Sequence, residues 1–277
     1  MYAGGLAFSL SAAGWFDYLS SKTGSAGDLA WAILILLVLA GVAEAFARTG
    51  HRVTAGVFAF GAVLAAVATV AQLFDWFDWN TDHAIRGFDV PRLLVELAWL
   101  AAAAAALRRY RFPLLVAQLV GATWLFVADL VSGGGTWTAA VTIVLGFCAL
   151  AVAAALDAMG SRAYAFWVHV GAGLMIGAGA LWCVRHGGTL SWLLILVAAV
   201  GYIWIARVLG RSSWAVLGTL GIFIVATHFA LRWSHVSVFF FDNGRGGHAW
   251  AAPLVYSAAA ALVVALGLWV SRRPAAD

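Results

Sequence analysis

The sequence predicts an all-α polytopic transmembrane helical bundle of about nine spans, with the N-terminus outside and the C-terminus cytoplasmic. Three observations predict it. Of the 277 residues, 64% are hydrophobic and 10% charged, where a soluble domain averages about 25% charged and 45–50% apolar. The apolar residues come in continuous runs of about 20, the length at which a helix crosses a hydrocarbon core of ~30 Å. The linkers between runs are short. Membrane β-strands would alternate instead, so a barrel is excluded. The same numbers exclude a soluble globular enzyme, a disordered chain and a nucleic-acid-binding domain. The pI near 9.4 is no nucleic-acid signal, because the basic residues are scattered singly or in pairs instead of clustered on one polar face.

Residues 1–28 read as an interfacial N-terminal segment and linker, and 29–277 as a single transmembrane helical domain. Met1–Leu19 carries Ser9, Ser11, Gly14 and Asp17 among its apolar residues, with Trp15, Phe16 and Tyr18 suited to headgroup depth. It lacks the basic start of a signal peptide. Ser20–Asp28 reads as a polar linker, with Asp28 a suitable N-cap for the first span. The spans follow at roughly 29–47, 53–74, 92–107, 112–131, 137–158, 163–183, 190–209, 212–231 and 250–270. The third is short unless it begins near Phe88 or runs into Arg108.

Arginine placement sets the expected orientation. Loops after odd-numbered spans hold Arg48, Arg52, Arg108, Arg109, Arg111, Arg162, Arg207 and Arg211, and the tail adds Arg272 and Arg273. Lys22, Arg86, Arg92, Arg185, Arg232 and Arg245 fall on the other side. The positive-inside rule places the first set in the cytoplasm. Even-numbered spans each carry an early glycine (Gly61, Gly121, Gly171, Gly218), and Trp167/Gly171 and Trp214/Gly218 share a Trp-x-x-x-Gly. This pattern suggests a helical hairpin used four times, plus a ninth helix.

Ionisable groups inside a membrane are costly and mark functional sites by default. Glu96 falls near the outer start of span 3 and Asp129 near the outer end of span 4. No carboxylate falls at mid-span and no proline interrupts a span, which disfavours a coupled secondary transporter. Trp124 is buried in span 4, and its N–H needs a partner, so a polar pocket is expected beside it. His169 shares a helix face with Gly173 and Gly177, a GxxxG that admits close helix approach. His169 therefore reads as an imidazole hydrogen-bonded across a helix contact, and leucine at either glycine is expected to disrupt packing. His228 and Arg232 share a face near the outer end of span 8.

The outer surface is the richest region. Asp75, Trp76, Asp78, Trp79, Asp82 and His83 lie in one nine-residue stretch, and His235 and Asp242 face it from another loop. Together with Glu96, Trp124, Asp129, His228 and Arg232 they form the expected ligand or partner surface. No cofactor is predicted. A bis-His haem would need His169 and His228 at one depth, and the topology separates them. No HExxH or other ligand spacing defines a divalent metal site. Cys148 and Cys183 lie in apolar segments and offer no disulfide framework.

Leu156-Asp157, Ser161-Arg162 and Ala165 to His169, with Trp214, Gly218 and Thr227-His228, resemble uncharacterised bacterial multi-pass membrane proteins over the last two-thirds of the chain. The resemblance implies no substrate and no catalytic residue. The leading expectation is a non-catalytic binding or accessory subunit of a bacterial inner membrane, holding a partner or lipid at its outer aromatic-acidic surface. A transporter or channel for a small solute or lipid is the first alternative, favoured by a groove joining Asp129, Glu96, Trp124 and His228. An outer-face metal-assisted enzyme is the second. Expected partners are membrane lipid and either a membrane protein or a second copy of the chain, with no nucleic acid.

Overall fold

The computed structural model describes residues 2–77, 79, 89–131, 135–184, 188–234 and 251–271, with side chains described from Gly24 onward apart from a few near helix ends. Among the described residues all regular structure is helical. The helices are α1 (Tyr2–Arg48), α2 (Arg52–Trp76), α3 (Val90–Tyr110), α4 (Leu115–Val131), α5 (Gly135–Ala158), α6 (Arg162–Val184), α7 (Thr189–Leu209), α8 (Ser212–Ser234) and α9 (Ala251–Ser271). Among the described residues seven helical segments are long and apolar enough to cross a membrane: Gly24–Arg48, Arg52–Trp76, Val90–Tyr110, Gly135–Ala158, Arg162–Val184, Thr189–Leu209 and Ser212–Ala230. Leu115–Val131 and Pro253–Gly267 are apolar but shorter. A helical multi-pass membrane protein follows from these helices.

Local chemistry sets the helix limits. Gly24 adopts φ 67° and breaks α1, so the polar stretch around it interrupts a helix where the sequence suggested a linker. Pro91 sits in the first turn of α3, where its missing N–H costs no hydrogen bond. Arg111 ends α3 in the left-handed conformation (φ 50°), and Pro113 then disfavours a helical Phe112. Gly210 closes α7 at φ 63°, its N–H bonded to the Ala206 carbonyl, the αL cap that glycine adopts without strain.

The helices gather into two compact units, Met1–Ala172 and Gly173–Asp277. In the first, α1 packs on α2, α2 on α3, and α3 and α4 on each other, with α2 also touching α4. The neighbours are antiparallel. Val57, Ala59 and Val63 of early α2 meet Ala103 of late α3 and Leu115 of early α4 in one buried cluster. Phe112 lies against Gly56, where a β-carbon would come within 2.6 Å of the Phe112 Cβ. Val116 of α4, Ala153 of α5 and Val168 of α6 form a second cluster.

In the second unit α7, α8 and α9 pack together around Ala199, Ile203, Ile222, Ala226 and Ala259. Gly218 allows the closest approach: a β-carbon there would stand 2.5 Å from the Ala199 carbonyl oxygen. Small residues at such crossings let backbones meet where there is no hydrophobic drive between helices.

Candidate functional site

On α3, Arg92, Glu96, Trp99 and Ala103 follow one another at helical spacing and share a face. Ala103 is fully buried on that face. The facing stripe of α4 carries Gln118, Ala122 and Asp129, all buried. The antiparallel pairing brings the start of α3 to the end of α4. Arg92 forms an ion pair with Asp129 across that contact. It also lies 3.6 Å (Nε to Oε1) from Glu96 one turn along its own helix. The side chains are 17% exposed for Arg92, 5% for Glu96 and 2% for Asp129. The two carboxyl groups also interact directly with each other.

Two carboxylates around one guanidinium carry a formal charge of −1 when both are ionised. Glu96 Oε2 and Asp129 Oδ1 are buried with no hydrogen-bond partner among the described residues. Burying a charge costs several kcal/mol per ion in real proteins, recovered only with close pairing and satisfied lone pairs. Arg92 pairs with the carboxylates, and the cluster is left with buried acceptor capacity and, with both carboxyls ionised, one uncompensated charge.

Neutral polar bonds continue along the same helices. Trp99 Nε1 donates to Gln118 Oε1 at 2.7 Å, and Gln118 Nε2 donates to the Phe60 carbonyl of α2 at 3.5 Å. Trp124 Nε1 donates to Thr142 Oγ1 at 3.0 Å, and Thr142 donates in turn to the Thr138 carbonyl of α5 at 2.7 Å. These bonds link α2, α3, α4 and α5.

At the opposite end of the unit, Glu44 accepts from Arg109 at 2.7 Å and from Arg48 at 3.1 Å, near the surface. His169, 2% exposed, donates from Nε2 to Asp157 Oδ2 at 3.0 Å. Tyr164 donates to the Arg111 carbonyl at 2.9 Å. An apolar cavity of about 520 Å³ opens beside Phe60, Phe112 and Trp167.

No protein-family model, curated protein or solved structure matches the chain.

Of the predicted residues, Glu96 and Asp129 come together, but around Arg92, which the sequence reading used only as a topology marker at the start of span 3. Its i,i+4 spacing to Glu96 was the readable signal. Trp124 finds its partner in Thr142 and not in a carboxylate. Gln118 and Thr142 were missed. A glutamine in the middle of an apolar span is the clue for the first, and a threonine at a matching depth on the next span is a weaker clue for the second.

Asp75 ends α2, where Trp76, Phe77 and Trp79 are exposed and Phe74 stacks on Trp79 at 5.5 Å. Asp78, Asp82, His83, His235 and Asp242 lie outside the described residues. Among the described residues no three His, Cys, Asp or Glu side chains gather as metal ligands.

In the second unit His228 stacks on Trp192 at 3.8 Å and 10°. Its Nε2 and the Trp192 Nε1 are buried with no hydrogen-bond partner among the described residues. Arg232 is exposed. Gly173 and Gly177, expected to act alike, are unlike in the structure. Gly173 packs against Leu217 and Trp214, while a β-carbon at Gly177 would meet only the Tyr202 hydroxyl, at 3.7 Å. Gly177 borders an apolar cavity of about 170 Å³ between α6, α7 and α8.

Proposed function

We propose that this membrane protein transports or conducts a small cationic solute, with Glu96 and Asp129 as the binding groups and Arg92 as their built-in counter-ion. One observation carries the reading: two buried carboxylates share a single arginine, with buried oxygens left unpartnered. Ionisable residues inside membrane bundles mark ion pathways and relays because their cost is otherwise unrecovered. A cation entering the cluster would cancel its excess charge. Arg92 serves a second purpose, since it keeps two carboxylates from repelling each other when the cation leaves. The cluster lies toward one end of α3 and α4, so the solute reaches it from that face of the membrane first.

The test is charge displacement. Purified protein in liposomes on a solid-supported membrane is given concentration steps of H⁺, Na⁺, K⁺ and ammonium in turn. At least one step is expected to give a transient current that is lost in Glu96→Gln and Asp129→Asn. Currents equal to those of protein-free liposomes for every cation would refute the reading.

A second reading is a partner or lipid surface, favoured by exposed Trp76, Phe77 and Trp79 at the end of α2. Aromatic rings with one wet and one apolar side suit the headgroup region or a protein contact. Native mass spectrometry of protein extracted gently from its own membrane distinguishes the two. A stoichiometric co-purifying subunit supports the accessory role, and a bare monomer counts against it.

A further inference from the structure

We infer that the cation bound by the Glu96–Asp129 pair is a proton. The inference rests on the cation-transport reading above and narrows it to one ligand.

Charge is the first argument. With Arg92 between them, the two carboxylates need one further positive charge to bring the cluster to zero, and one proton supplies it. Coordination is the second. A hard metal cation of the calcium or magnesium type takes about six to eight oxygens or keeps several waters. The cluster offers two unpartnered buried carboxylate oxygens, Glu96 Oε2 and Asp129 Oδ1, and the remaining oxygens face the guanidinium. Space is the third. Glu96 is 4% exposed and Asp129 3%, so little of either carboxyl is open to a hydrated metal ion. A proton needs no cavity and no coordination shell. One O–H bond on either carboxyl satisfies both groups, because the protonated carboxyl donates to its ionised partner.

The step balances simply. A hydrated proton is taken up from the aqueous side onto a carboxylate oxygen, one O–H bond forms, and Arg92 stays with the remaining carboxylate. Release is the reverse. Among the described residues the other charged groups toward this end of the unit are Asp28 of α1, Asp75 at the matching end of α2, and Asp89, just before α3, whose Oδ2 is also buried without a hydrogen-bond partner. The first three turns of α5 carry no ionisable side chain.

The test is infrared difference spectroscopy of the full-length protein in lipid nanodiscs, stepped in pH in H₂O and D₂O. Wild type is expected to show a protonated-carboxyl C=O band at neutral pH, above the amide region, that shifts in D₂O. The band should be lost in Glu96→Gln or Asp129→Asn. Either variant suffices if the other fails to fold, since removing one carboxyl ends the sharing, and the amide band reports folding in the same spectrum. Absence of the band in wild type, or its survival in both variants, would overturn the proton assignment. That failure is distinct from failure of the transport reading, which the Na⁺, K⁺ and ammonium currents test separately.

Discussion

Replacing Gly173 by leucine is expected to destabilise the protein, while alanine at Gly177 should not. At Gly173 a β-carbon would come 3.4 Å from Trp214 Cζ3 and closer still to the Leu217 side chain. Trp214 is 1% exposed and has no room to retreat. Adding methylenes to a filled site costs about 1–3 kcal/mol in strained rotamers and backbone shifts. A displaced α6 also loses the 3.0 Å bond that Tyr202 donates to the Gly173 carbonyl. Interhelical hydrogen bonds in membranes average about 0.6 kcal/mol. The sum of these two principles, roughly 2–4 kcal/mol, corresponds to a melting temperature lower by about 5–15 °C. At Gly177 the new methyl makes an ordinary contact at 3.7 Å beside open space, and helix propensity gains up to about 1 kcal/mol. Differential scanning fluorimetry in one detergent compares the three proteins. An unchanged melting temperature for Gly173→Leu, or equal losses for the two variants, would show that the packing around Trp214 is not as described.

Other sites give sharp expectations. Gly56→Ala forces a β-carbon into the buried Phe112 ring, and overpacking of about 1–3 kcal/mol should appear as a lower melting temperature that Phe112→Leu partly restores. Gln118→Leu removes the acceptor for Trp99, for a loss of roughly 0.6–1.7 kcal/mol. Trp99→Phe in that background should cost little more than Gln118→Leu alone. A double-mutant cycle on Asp157→Asn and His169→Gln should show a coupling energy above about 0.5 kcal/mol, as expected for residues in direct contact; additive losses would mean that the bond contributes nothing.

The helices were legible because hydropathy in lipid reports burial of the whole helix, and about 20 apolar residues leave few alternatives. Their limits were partly legible: Pro113 was visible, while the left-handed Arg111 was not, because few sequence signals mark that conformation for a non-glycine residue. Glu96 and Asp129 stood out since a carboxylate in an apolar run has no bland reason to be there. Arg92 did not, because an arginine at a span start is explained by topology alone. Which side chains pair across helices depends on rotation about each axis, and small hydrophobic asymmetry fixes that poorly when lipid and protein are equally apolar. Trp124 shows the limit well. Its need for a partner could be read, but Thr142 follows only from the packing of α4 on α5. The two glycines of the GxxxG look alike in sequence, and Leu217 and Trp214 packed against one of them set them apart.

The most direct test of the account is proton flux through the Arg92–Glu96–Asp129 cluster. Protein reconstituted into liposomes loaded with a pH-sensitive dye is exposed to a potassium diffusion potential of either sign. The account predicts a potential-driven change in internal pH for wild type and none for Glu96→Gln, with both proteins equally folded by melting temperature. Flux in Glu96→Gln equal to that of wild type, or wild-type flux no greater than that of empty liposomes, would contradict it.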